Sequence, residues 1–102
     1  MSSKLELDLP FDDLAFAELC GELDIAYLGL FGSTSRGEQH ADSDIDLLVR
    51  FSEPKSLLDV IAAEHRLEDF LGREIDLVPE GGLKPRVRPR VMQDLRDVYG
   101  TR

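Results

Sequence analysis

Two aspartates, Asp44 and Asp46, sit at the head of an apolar run, and a Gly32-Ser33 pair closes an earlier one, in the spacing Gly-Ser-x10-Asp-x-Asp. Successive side chains of a strand point to opposite faces, so a strand here puts Asp44 and Asp46 on one face and Ile45 on the other. Two carboxylates about 7 Å apart along a strand can converge on a hard cation such as Mg²⁺. Gly32-Ser33 ends the preceding strand and can open a helix, which leaves backbone N–H groups and a hydroxyl to hold a phosphate. Arg36, about one helical turn further on, either joins those phosphates or lies solvated on the surface. A phosphate cradle beside paired carboxylates is the equipment of metal-assisted phosphoryl or nucleotidyl transfer. At average residue usage such a pattern arises by chance on the order of once in a thousand chains of this length. The plain alternative is an exposed helix cap followed by a strand carrying two acids. Asp is depleted in strands, however, and two on one face need a reason. No Gly-x4-Gly-Lys-Ser/Thr run is present, so the site is not a P-loop.

The elements around these residues follow from periodicity. Apolar residues at three- and four-residue spacing predict a helix over 10–23, weakened by Gly21. The uncharged run 26–31 predicts a central strand covered on both faces. A short helix or helical turn over 33–39 and a loop over 40–43 lead to a second strand over 44–51. Pro54 then starts a long helix that ends before Gly72, with Leu57, Val60, Ala63, Leu67 and Leu71 as its apolar stripe, widened by Ile61 and Phe70. A third strand spans 74–78 and a loop spans 80–82. A last helix from Pro89 to Gly100 turns Val91, Leu95 and Val98 inward. The expected fold is α/β (α+β), in two or three layers: a small mixed sheet of three or more strands flanked by about four helices.

The chain has 102 residues, which predicts one domain over 1–102 with little room for a separate substrate-binding domain. No apolar run approaches the ~20 residues of a membrane span. The acidic N-terminus lacks the apolar core of a signal peptide, so the expected location is cytoplasmic. The single Cys20 excludes an internal disulfide and a cysteine-based zinc site, and its spacing from Phe16 and Leu23 predicts a buried thiol. His40 and His65 lack the spacing of a zinc pair and are expected in a loop and on a helix face; Tyr27 and Tyr99 are expected to pack. Net charge is −9 and uneven: residues 83–102 carry six basic and two acidic residues, whereas 1–82 carry six basic and nineteen acidic. Such a chain is a poor binder of duplex nucleic acid. Lys84, Arg86, Arg88 and Arg90 alternate with Pro85, Val87 and Pro89, which predicts a stiff extended stretch. That stretch is tethered to the domain's own acids or holds a triphosphate or an acidic partner.

Gly32-Ser33, Arg36-Gly37 and Ser43-Asp44-Ile45-Asp46-Leu47-Leu48-Val49 together resemble the signature of the minimal nucleotidyltransferases, within the DNA polymerase beta-like nucleotidyltransferase superfamily. Ser35 departs from the Ala of many relatives, a small residue for a small one. The resemblance covers most of the chain, from the strand at 26–31 onward. It implies a nucleotidyltransferase-like core and a third carboxylate on a later strand, at Asp76, with Glu74 an alternative on the same face. It also implies a two-metal Mg²⁺ site on Asp44, Asp46 and Asp76. There, one metal carries the triphosphate and the other lowers the pKa of the attacking hydroxyl. Gly32, Ser33 and Arg36 would bind the nucleotide, with ATP the expected substrate. By the same resemblance the chain is expected to act as the antitoxin of a HEPN/MNT toxin-antitoxin pair, moving AMP to a hydroxyl of a small, all-helical HEPN-type toxin. A homo-oligomer stays open. The rival reading is a non-catalytic antitoxin that neutralises its partner by contact, which the presence of all three carboxylates disfavours. An enzyme acting on a small molecule such as an aminoglycoside would need an extra acceptor domain, for which the chain is too short.

Overall fold

In the computed structural model, residues 9–32 and 45–101 are described. Among them the order is α1 (Leu14–Glu22), β1 (Ile25–Phe31), β2 (Ile45–Phe51), α2 (Leu57–Leu71), β3 (Ile75–Pro79), a short 3₁₀ turn at Glu80–Gly82, α3 (Arg88–Asp94) and β4 (Arg96–Tyr99). The strands form one sheet in the order β3-β2-β1-β4. β1 pairs antiparallel with both β2 and β4, and β3 pairs parallel with β2. The mixed α/β architecture expected from the sequence is the one observed, with three α-helices and four strands among the described residues. The helix expected at 33–39 and the loop at 40–43 lie outside the described residues.

One face of the sheet is apolar because every second strand residue is. Leu28 and Leu30, then Ile45, Leu47 and Val49, then Ile75 and Leu77 are buried there, against Phe16, Leu19 and Cys20 of α1 and Ala63, Leu67 and Leu71 of α2. Phe16 meets Phe11 edge-on and Phe70 at a tilt, with ring centroids 5.5 and 5.8 Å apart. Cys20 is the expected buried thiol; burial pushes its pKa up to about 12, so it stays neutral. His65 is exposed on α2, and Tyr27 and Tyr99 pack, as expected.

Two expected helices start later than expected, each for a local reason. α1 begins at Leu14 and not at Pro10, because the Asp13 side chain accepts the Ala15 N–H and caps the helix there. α2 begins at Leu57 and not at Pro54, because Ser56 and Asp59 form a capping box; hydrogen bonding from Ser56, its backbone N–H first, holds the Asp59 carboxyl below its ordinary pKa. Its stripe is shorter than expected. Val60, Ala63, Leu67, Phe70 and Leu71 face the core, while Leu57 and Ile61 are exposed.

The largest difference is the last segment. The expected extended stretch is a turn at 85–87, and the expected helix to Gly100 stops at Asp94. Leu95 is extended and Arg96–Tyr99 pair with β1, supplying the backbone partners that the outer edge of β1 would otherwise lack. The spacing of Val91, Leu95 and Val98 imitates a helix, but tertiary pairing overrides it. Arg88 pairs with Glu80 at 2.9 Å, so one arginine of the basic segment is tethered to the domain's own acids. No described helix is long and apolar enough to cross a membrane.

Candidate active site

The second face of the sheet carries the polar residues. β2 offers Asp46, Leu48 and Arg50 to it. Their neighbours on β1 are Phe31, Gly29 and Tyr27, and on β3 the partners of Asp46 and Leu48 are Asp76 and Val78. Asp46 and Asp76 are register partners in a parallel pair. Their side chains therefore leave the same face from strands about 4.8 Å apart. Ile45 is fully buried on the opposite face, as the alternation requires. Asp46 is half-buried and Asp76, on the edge strand, is exposed.

Gly32 borders Asp46 on its other side. Its backbone is left-handed (φ 80°), and a Cβ there would stand 2.6 Å from Asp46 Oδ2. Any side chain at this position would thus be strained and would push on the carboxylate. The glycine read from the sequence as a phosphate contact has this second duty of giving Asp46 its room. Ser33, Arg36 and Asp44 lie outside the described residues, so of the expected site residues the structure brings together Gly32, Asp46 and Asp76. Glu74 sits one residue before β3 and is exposed; its carbonyl accepts the Ile45 N–H at 3.0 Å.

The donor set suits a hard divalent cation. Two adjacent carboxylates on one face offer oxygen ligands only, and they repel each other unless positive charge lies between them. Among the described residues no three carboxylate, imidazole or thiol groups cluster as a complete metal site. The pair Asp46–Asp76 is the part the described residues supply.

Beyond the acids the same face is filled. The Tyr27 hydroxyl donates to Asp97 Oδ1 at 2.6 Å, the Arg50 guanidinium lies 5.8 Å from the Tyr27 ring centroid, and Arg50 donates to the Thr101 carbonyl at 3.0 Å. Gly29 is a glycine because a Cβ there would collide with the Tyr27 hydroxyl and with Leu95. This network fastens β4 to β1 at the end of the face away from Asp46 and Asp76. Sequence reasoning also missed Glu64 and Glu68 of α2, whose carboxylates accept the β3 backbone N–H groups of Leu77 (2.8 Å) and Ile75 (3.0 Å), the residues that flank Asp76. Their spacing of four residues, beside Ala63 and Leu67 on the core stripe, was the available signal.

The model of the nucleotidyltransferase domain family matches residues 15–98, and the chain belongs to that family. Its relatives include the protein adenylyltransferase MntA of Thermococcus cleftensis, 41% identical over 78 residues, which cover 76% of this chain and 79% of the relative. A provisionally named protein adenylyltransferase of Methanocaldococcus jannaschii is 42% identical over 69 residues, 68% of this chain and 74% of the relative. Among solved structures, one provisionally described as a minimal nucleotidyltransferase superposes with a TM-score of 0.71 at 37% identity, covering 93% of this chain and 98% of that one. A toxin-antitoxin crystal structure with AMP-PNP matches with a TM-score of 0.72 at 25% identity, covering 85% of this chain and 72% of that one. The minimal nucleotidyltransferase resemblance seen in the sequence is therefore borne out, and the chain is a nucleotidyltransferase of the protein adenylyltransferase-like kind.

Proposed function

We propose that this protein transfers AMP from ATP to a hydroxyl of a HEPN-type partner protein and acts as that partner's antitoxin. The observation that carries the reading is the registered pair Asp46–Asp76 on one face of the sheet beside Gly32. The relatives named protein adenylyltransferase and the neighbour crystallised with AMP-PNP support the nucleotide and the protein acceptor. In this reading Asp46 and Asp76, with Asp44, hold Mg²⁺, which when bound neutralises triphosphate charge and lowers the pKa of the acceptor hydroxyl. Gly32, Ser33 and Arg36 hold the phosphates. The acceptor oxygen forms a bond to the α-phosphorus as the bond from that phosphorus to the bridging α–β oxygen breaks. Pyrophosphate leaves, and the hydroxyl proton passes to Asp76. Asp76 suits that part because it is exposed, while Asp46 beside it is half-buried.

The test is transfer of label from α-labelled ATP, with Mg²⁺ present, to a HEPN-type protein encoded beside this one. Asp46→Asn should abolish transfer and leave the fold intact. Its melting temperature should hold or rise, because one of two neighbouring like charges is gone. Neutralisation of the partner by the Asp46→Asn protein at wild-type strength would replace this reading with the contact-only antitoxin.

A further inference from the structure

β3 is an edge strand, and alternate residues of an edge strand turn their N–H groups away from the sheet. Ile75, Leu77 and Pro79 are those residues. Asp76, between the first two, bonds inward to β2. The outward N–H of Ile75 is accepted by Glu68 Oε2 at 3.0 Å and that of Leu77 by Glu64 Oε2 at 2.8 Å. The third outward position, Pro79, has no N–H. Four residues before Glu64 on α2 is Val60, which is not an acid and lines a hollow together with Pro79. The flank of the helix therefore offers a carboxylate to each of the two outward N–H groups and an apolar valine near the proline that has none.

We propose that Glu64 and Glu68 are positioning residues for Asp76: a two-point clamp that braces the edge strand on both sides of Asp76, where it stands beside Asp46. The ladder to β2 and the burial of Ile75 and Leu77 place the strand, and the clamp acts beside them at its outward N–H groups. The Asp76 side chain is exposed, so packing does not fix it, and among the described residues one side of β3 has no neighbouring strand. Hydrogen bonds from backbone N–H to a carboxylate are the strong kind, and α2 is anchored in the core through Ala63, Leu67 and Leu71. The clamp thus couples the rigid helix to the chain on both sides of the carboxylate. Its significance rests on the reading of Asp46 and Asp76 as a shared cation site.

Mn²⁺ alone serves as the probe, with backbone amide NMR as the readout. In the wild type, Mn²⁺ should broaden the Asp46 and Asp76 amides with one midpoint. In Glu64→Ala/Glu68→Ala, exchange of the Ile75 and Leu77 amides should accelerate, and the midpoint at Asp76 should rise by about tenfold, the usual scale for losing a group that orients a ligand. Glu64→Gln/Glu68→Gln keeps an accepting oxygen and should restore both. If the double alanine variant does not fold, Glu68→Ala alone carries the same test at Ile75. Equal broadening of Asp46 and Asp76 in wild type and alanine variant would overturn the clamp and leave the cation site standing. Absence of broadening at both aspartates in the wild type would overturn the cation site and the clamp with it.

Discussion

The two faces of the sheet are built on opposite principles. On the first, Leu28, Leu30, Ile45, Leu47, Val49, Ile75 and Leu77 are packed under α1 and α2, and what matters there is apolar area and fit. On the second, Asp46, Asp76, Tyr27, Arg50 and Asp97 are held by register and by hydrogen bonds. The same strands serve both, because the period of two separates the residues that stabilise from those that react. A carboxylate pair can stand beside a dry core without entering it, since Ile45 takes the inward direction that Asp46 would otherwise need. The second face is itself divided. Tyr27, Leu95 and Asp97 close one part of it, and Gly32, Asp46 and Asp76 keep the other clear.

The sharpest way to break this division is at Gly32. Gly32→Ala places a Cβ 2.6 Å from Asp46 Oδ2 and demands a left-handed backbone from a residue with a side chain. Stability should fall by about 1–3 kcal/mol, the cost of one strained residue, and AMP transfer should be lost. Because the collision is with one carboxylate, adding Asp46→Ala should return part of the stability, leaving only the backbone strain. Urea unfolding of the two single variants and the double variant measures this. Strict additivity would show that Gly32 and Asp46 do not press on each other.

The closed part of the same face should respond differently. Tyr27→Phe deletes the hydroxyl that donates to Asp97 at 2.6 Å. A hydrogen bond to a charged group that is partly exposed should cost about 1–2 kcal/mol when lost, with β4 loosening first. Transfer kinetics, measured well below the melting temperature, should stay within about twofold of wild type. A large fall in kcat at unchanged stability would join Tyr27 to the site and erase the division.

The two faces were also unequally legible. The apolar face was readable because alternation and helical spacing both write it into the sequence: strands at 26–31, 44–51 and 74–78 lie within a residue of β1, β2 and β3. Asp46, Asp76 and Gly32 were readable because acids in apolar strands and a glycine at a strand end are conspicuous. β4 was not. Val91, Leu95 and Val98 fit a helical period, and only the vacant edge of β1 makes Arg96–Tyr99 a strand. The clamp was not readable either, since Glu64 and Glu68 look like ordinary helix-surface acids until Ile75 and Leu77 are placed beside them. Pairing between segments distant in sequence leaves little local trace, and both misses are of that kind.

In its ionisation the apolar face is silent at neutral pH, and its effect appears only at alkaline pH. Cys20 is fully buried and its pKa is raised from 9.0 to about 12 by desolvation. Below pH 9 the thiol is protonated whether the chain is folded or not, and its ionisation does not affect stability. Between pH 9 and about 12 the unfolded thiol ionises while the folded one resists, so the unfolded state binds fewer protons and stability falls as pH rises. The slope from this group is at most about 1.4 kcal/mol per pH unit. Cys20→Ala should be less stable at neutral pH because it leaves a small void, yet its stability should decline less steeply from pH 9 to 11. Lysines and tyrosines titrate in both proteins and cancel in the difference. Parallel slopes for wild type and variant would mean that water or a neighbouring polar group reaches the thiol, and that this face of the sheet is less dry than its packing implies.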